Sequence, residues 1–219
     1  MSDFYSSNYR EMFYMRGVTS KATSIIHKAL EHDFDSNIGQ QILEIGGGEG
    51  FHVPYVAPDF HKYVLLDLQN RELDETAKDY QRLEKLVQVV ARGDHLPFPD
   101  ESFDRVIFMC VLHHLEKIDS TLFEARRVLK RNGTISIYLP CDPGFLYRIL
   151  RRLFTWKRQR ELGIDYETVN AFEHRNHIFS LIRILKFIFS QDVIAYRWRP
   201  IPLPFWNANL YCIIRIQKS

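Results

Sequence analysis

The sequence predicts an α/β protein: a doubly wound, mostly parallel seven-stranded sheet with a C-terminal antiparallel hairpin and a helical insertion after strand 5. Three observations predict it. Short apolar runs alternate with helical patterns from Gln41 to Leu139, the signature of right-handed parallel crossovers. Four glycines (Gly46, Gly47, Gly48 and Gly50) turn the chain sharply out of the first strand, where glycine is too costly in backbone entropy for a strand or helix interior. After Pro140 the alternation stops, and the last two strand-like runs are joined only by Arg199-Pro-Ile-Pro-Leu-Pro204, which cannot be strand interior.

Taken in order, residues 1–36 form an N-terminal helical segment. Residues 3–16 are a tyrosine-rich arm or short helix, and Val18 to Asp33 places Val18, Ala22, Ile25, Ile26, Ala29 and Leu30 at helical spacing. Asn37-Ile38-Gly39 is a turn. Strand 1 is Gln41 to Ile45; after the glycine turn, Phe51 to Ala57 reads as a short helix closed by Pro58. Strand 2 is Tyr63 to Leu68, a near-continuous apolar run suited to burial on both faces. Arg71 to Leu83 reads as a helix, Val87 to Ala91 as strand 3 and Phe103 to Val111 as strand 4. Asp119 to Lys130 is a helix with Thr121 and Glu124 at capping-box spacing, ended by Asn132-Gly133. Strand 5 is Thr134 to Leu139. Residues 141–190 are the insertion, a substrate-side lid, and Asp192 to Trp198 and Leu210 to Ile216 make the hairpin.

With 219 residues and no repeats, one domain is expected, large enough to bury about 70% of its unfolded surface. Hydrophobic residues at 46% and charged residues at 26% are ordinary for a globular chain, and a net charge of +2 names no partner. The start of the chain has no basic-then-apolar leader pattern, and the longest apolar run, about seven residues from Val106 to Leu112, is far short of the roughly 20 that span a bilayer. The odd, widely spaced cysteines (Cys110, Cys141, Cys212) read as reduced structural thiols in a cytoplasmic protein.

The glycine turn suits a ligand that touches bare backbone. The dinucleotide pattern G-x-G-x-x-G fails, because Phe51 stands where its third glycine belongs. What stands is Glu44-x-Gly46-x-Gly48-x-Gly50. Glu44, Asp67 and Asp94 each close one of the first three strands, and an open α/β sheet binds its ligand beyond those ends. Asp67 is placed to accept both hydroxyls of a ribose. Asp94 can accept from an adenine amino group while the His95 N–H faces a ring nitrogen.

Glu44-x-Gly46-x-Gly48-x-Gly50 resembles motif I of the class I S-adenosylmethionine (SAM) methyltransferases, whose cofactor has no phosphate to cradle but carries a cationic ammonium and sulfonium that a carboxylate suits. Gly93-Asp94-His95-Leu96-Pro97-Phe98-Pro99-Asp100-Glu101-Ser102-Phe103-Asp104 resembles the G-D-x-x-L-P-F-P-D-x-S-F-D signature of the type 11 methyltransferases. Val111 to Leu115 and Ala125 to Gly133 resemble the segments after their fourth strand and before their fifth. The resemblance covers about residues 40 to 140 and implies a Rossmann-like methyltransferase fold, SAM as cofactor, and Glu44, Gly46, Gly48, Asp67, Leu68, Asp94, His95 and Cys110 as its contacts. His95 departs from the small residue common there.

Methyl transfer to a hydroxyl needs a proton acceptor. His113 and His114 follow strand 4 on the cofactor side and Asp142 follows strand 5, so a carboxylate-oriented histidine is expected, as in some sugar O-methyltransferases that resemble this chain. The insertion carries the acceptor question. Phe145 to Arg160 has Arg148, Arg151, Arg152, Lys157, Arg158 and Arg160 and no acid, over an apolar face of Phe145, Leu146, Ile149, Leu150, Leu153 and Phe154. Arg148 is a candidate for a phosphorylated acceptor. Glu173, His174, Arg175 and His177 form a second candidate acceptor-binding cluster; two histidines are too few for a zinc site, and no metal is expected. The expected reaction is methylation of a hydroxyl on a sugar, sugar nucleotide or surface-polysaccharide precursor. The alternatives are a lipid or quinone acceptor at a membrane surface, with residues 145–160 as a peripheral contact, and a SAM-binding scaffold without turnover. Nucleic acid is not expected, because the basic residues sit in one helix with no stacking motif beside them.

Overall fold

The computed structural model describes residues 14, 18–32, 40–57, 59–78 and 83–219. The arm expected over 3–16, apart from Tyr14, and the Asn37-Ile38-Gly39 turn lie outside the described residues.

Seven strands form one sheet: β1 Gln41–Ile45, β2 Lys62–Asp67, β3 Leu86–Val90, β4 Phe103–Met109, β5 Leu129–Pro140, β6 Val193–Arg199 and β7 Tyr211–Gln217. Their spatial order is β3-β2-β1-β4-β5-β7-β6. The first five are parallel, and β7 is antiparallel to both β5 and β6. The strand order reverses between β1 and β4, so the crevice that binds ligands in such sheets opens beyond Ile45 and Met109.

Both faces are covered. Helices α3 (Ile118–Val128) and α6 (Ile178–Ile188) pack over one face through Leu122, Ala125, Leu181 and Leu185. Helix α1 (Val18–Glu31) and the turn at Val53–Tyr55 cover the other through Leu30, Val53 and Val56 against Ile42, Tyr63 and Ile107. The short helix α2 (Glu75–Lys78) lies on the same side. Two further helices, α4 (Phe145–Leu162) and α5 (Tyr166–Glu173), follow β5. Gly163, with φ +65°, ends α4, and the Asp165 carboxylate caps α5 by accepting from the Thr168 N–H at 3.2 Å.

Several expectations need correction. No α-helix follows the glycine turn; Val53–Tyr55 is a single 3₁₀ turn, which ends where Val56 becomes extended (ψ 134°). The Thr121–Glu124 capping box does not form. The Thr121 hydroxyl donates to Lys117 O at 2.8 Å, and Glu124 is drawn away to accept from the Leu96 N–H at 2.7 Å and from Arg127. Helix α3 stops at Val128, ahead of Asn132-Gly133. Asn132, with φ +60°, instead sits within β5, where the register against β4 shifts. The last part of the insertion is not lid: Ile178, Leu181 and Leu185 recur at helical spacing and bury α6 in the sheet core.

Candidate active site

The chain leaves β1 in the left-handed region: Gly46 has φ +75° and Gly48 φ +53°. A Cβ on Gly46 would lie 2.4 Å from Val111 Cγ2, so both backbone and space require glycine there. Gly46 and Gly47 donate to Leu66 O at 2.7 and 3.2 Å, and Gly48 donates to the Asp67 carboxylate at 3.0 Å. The other Asp67 oxygen accepts from the Gln69 N–H at 3.2 Å. Asp67 thus clamps the turn and keeps acceptor capacity for a ligand.

Beneath the turn, Glu44 is buried and accepts from the Tyr63 hydroxyl at 2.6 Å. Burial pushes its carboxyl above the ordinary range, against the opposing influence of His52 and the Tyr63 hydrogen bond. A cation arriving in the cavity would favour its ionised form. That cavity, about 140 Å³, is walled by Glu44, Gly46 to Glu49, Asp67, Arg71, Cys110, Val111 and His114, with Tyr14, His27 and His52 completing it. Cys110 is itself left-handed, φ +57°, at the end of β4; burial raises its thiol to about 12, so it is a neutral wall and not a nucleophile.

A second chamber of about 320 Å³ shares Tyr14, His27, Met109, Cys110 and His114 with the first. Its walls come from α1 (Ala22, Ile25, Ile26), the strand ends (Tyr138, Pro140, Tyr211) and α4 (Tyr147, Leu150, Phe154), and they are mainly apolar.

Three imidazoles stand at one end of this chamber. Glu173 O accepts from the His114 Nδ1–H at 3.0 Å, while the Arg175 and Asn176 N–H groups donate to His113 O at 2.9 and 3.1 Å. These bonds dock the 173–176 loop on the end of β4 and place His174 against the pair, with ring centroids 4.3 Å from His113 and 5.0 Å from His114. Asp142 reaches His174 and not the pair: the His174 Nδ1–H donates to its carboxylate at 2.6 Å. Burial pushes Asp142 up, but His174, with Arg151 and Asn170, outweighs that and holds it below the ordinary range. Burial and the neighbouring imidazoles lower His113 well below its ordinary value, and burial with His174 lowers His114 to about 4. The pair is therefore neutral near pH 7, and the buried His113 Nδ1 makes no hydrogen bond. Ligand atoms of His113, His114 and His174 lie within 4.8 Å of one another. A tetrahedral ion with bonds of about 2.0–2.1 Å sets its nitrogens about 3.3 Å apart, so the cluster would have to contract to hold one.

Arg151 is the residue that the sequence did not single out within its helix. It is 8% exposed, lies 5.4 and 5.6 Å from the ring centroids of Tyr147 and Tyr166, bonds Glu167 at 3.1 Å, and stands 3.7 Å from Asp142. Its Nε and Nη1 make no hydrogen bond. Arg148, the expected anion contact, is instead exposed and outside the chamber.

Among the other expected contacts, Leu68 is exposed beside Asp67, and His95 is exposed; neither lines the cavity. Asp94 is engaged by Arg92 at 2.8 Å and Lys117 at 3.2 Å, which hold it well below the ordinary carboxylate range, and it lies outside the lining of the cavity. Glu173 contributes its carbonyl, Arg175 pairs with Glu116 at 2.6 Å, and exposed His177 precedes α6, so of that cluster only His174 lines the chamber. Tyr14, Ile25, Ile26 and His27 were missed, because an amphipathic helix before the first strand looks the same whether it covers a sheet or walls a chamber.

Residues 43–137 match the family described as "Methyltransferase domain". This stretch is a methyltransferase domain. The cofactor that it implies is SAM, and the buried Glu44, the glycine turn and Asp67 fit a ligand with a cationic end and a ribose. The chain is 30% identical over 99 residues to a demethylmenaquinone methyltransferase of Tropheryma whipplei, covering 45% of this chain and 41% of the relative. It is 32% identical over 109 residues to a fatty-acid O-methyltransferase of Mycolicibacterium smegmatis, covering 49% and 39%. The chain thus aligns with less than half the length of these curated relatives. A SAM-dependent methyltransferase structure from Methanococcus maripaludis shares the fold over 100% of this chain and 90% of its own, with a TM-score of 0.62 at 18% identity.

Proposed function

We propose that the protein transfers a methyl group from SAM to an acceptor with an apolar body and one ionisable polar head. The observation that carries this reading is the chamber beside the glycine-turn cavity, whose walls are mainly apolar, Ile25, Ile26, Leu150 and Phe154 among them, and which Arg151, the imidazoles and a few hydroxyl-bearing side chains interrupt. A sugar nucleotide, favoured by the basic helix in the sequence, would leave hydroxyls unpaired against those walls, at a cost of about 1–3 kcal/mol each. The relatives named for a menaquinone precursor and for fatty acids support the apolar reading.

Bound in the first cavity, SAM supplies an activated methyl on a sulfonium; the chain's own residues do the rest. Glu44 and Asp67, which line that cavity, would hold SAM's cationic end and its ribose. The chamber walls would align the acceptor, which supplies most of the rate enhancement. Asp142 fixes the His174 tautomer, leaving Nε2 as the proton acceptor. The Arg151 guanidinium, which lines the chamber, would offset the negative charge of an ionised acceptor head.

The test is SAM turnover against matched panels. Alkyl-substituted phenols and long-chain hydroxy or carboxylic acids should be methylated, and uridine and guanosine diphosphate sugars should not. Turnover confined to the sugar nucleotides would overturn the reading.

A further inference from the structure

We propose that α4 seats on an anionic bilayer surface and opens the acceptor chamber toward it. Phe145, Ile149, Leu153 and Trp156 recur at helical spacing along one stripe, and are 70%, 40%, 66% and 55% exposed. Side chains of this size are left in water at the expense of the hydrophobic stabilisation that burial would bring, and a contiguous exposed stripe marks a contact surface. The patch extends past the helix start. The turn at Trp206–Ala208 abuts the N-terminus of α4, where Asn207 accepts from the Phe145 N–H at 3.3 Å, and the loop before it exposes Leu203 and Phe205 at 51% and 60%.

The occupant follows from charge. Arg148, Arg152, Lys157 and Arg160 are exposed on the same helix, and residues 145–160 contain no acid. A second copy meeting this face across a two-fold axis would set cation against cation. A bilayer rich in anionic lipid instead receives the apolar stripe among its acyl chains and the cations among its headgroups. No described helix is long and apolar enough to cross a membrane, so the contact is interfacial. The inner side of the same helix supplies Tyr147, Leu150 and Phe154 to the chamber. Seating would therefore place the chamber wall at the bilayer boundary, where an apolar acceptor dissolves. That delivery role rests on the apolar-acceptor reading; the seating does not.

The experiment is sedimentation of the full chain with vesicles of neutral phosphatidylcholine, with and without about 30% phosphatidylglycerol. Binding should need the anionic lipid and weaken with salt. The double variant Leu153→Glu/Trp156→Glu should require at least tenfold more anionic lipid for half-binding, while melting and SAM affinity stay unchanged. No binding to anionic vesicles overturns the proposal, as does sedimentation equilibrium showing a dimer that the double variant dissociates. Methylation of a short, water-soluble phenol without vesicles is measured in parallel. Its failure would count against the proposed reaction and not against the seating.

Discussion

In the proposed reaction, Asp142 would set which imidazole takes the proton. The sequence put it near His113 and His114, but the fold delivers its carboxylate to His174 at 2.6 Å, through a loop that no strand pattern could locate. His174→Ala should lower kcat by roughly 10²–10⁴-fold with an O–H acceptor, and Asp142→Asn by less, since the ring persists without its orienting charge. SAM affinity, read by calorimetry, should hold within about twofold in both. Full activity in His174→Ala would remove the base assignment. Replacing Arg151 by Met should raise KM and lower kcat together, while Lys, which lacks the planar fork, should restore only part of either. Addition of Zn²⁺ should inhibit by drawing His174 into a ligand role, and a chelator-treated enzyme should keep its rate; dependence on added metal would instead make the three imidazoles a metal centre. That Glu44, Gly46, Gly48 and Asp67 would wall one cavity was legible because the geometry of a glycine turn is local. Arg151 was not, since its importance comes from burial between Tyr147 and Tyr166, which one helix cannot reveal.

At the scale of elements, strand identities and their alternation were readable, because a strand buried on both faces, such as β2, must be continuously apolar. Helix ends were not. The first crossover helix is one turn that ends at the extended Val56, and α1 covers that face. The glycine turn therefore depends on β4 for its support. Gly46 faces Val111, so Gly46→Ala must displace Val111 or the turn itself. The expected result is loss of measurable SAM binding with melting lowered only modestly, because Ile42, Leu43 and Ile45 remain packed. Retained SAM affinity in Gly46→Ala, measured by calorimetry, would show that the cofactor does not rest on this turn.

At the scale of the molecule, one buried polar chain joins α1, the 52–55 turn and the sheet centre. Arg105, fully buried in β4, donates to Glu31 at 2.9 and 2.6 Å and to the Ser136 hydroxyl at 3.1 Å. Glu31 also accepts from the His52 Nε2–H at 3.1 Å. His52 Nδ1 meets His27 Nδ1 at 2.9 Å, and the Tyr14 hydroxyl reaches His27 Nε2 at 3.1 Å. Burial pushes Glu31 up, but Arg105 and His52 outweigh it and bring it down to about 2. Burial and His52 push His27 well below its ordinary value. Both shifts make the unfolded chain bind more protons than the native one in acid, so stability should rise with pH through each window. The His27 contribution is complete above about pH 6.5 and falls away below it; the Glu31 contribution is complete above about pH 4.5 and is lost toward pH 2. Melting temperature should thus be level above pH 7 and decline as the pH falls below 6.5. Glu31→Gln should cost about 3–5 kcal/mol at pH 7, because it strands the Arg105 charge in the core, and should flatten the decline below pH 4.5. His27→Gln should flatten part of the earlier one, since His113 and His114, also lowered by burial, contribute over the same window. Because His27 and His52 also wall the glycine-turn cavity, SAM affinity should weaken over the same first window. A melting curve independent of pH between 7 and 4 would mean that this chain of charges does not hold the N-terminal helix to the sheet.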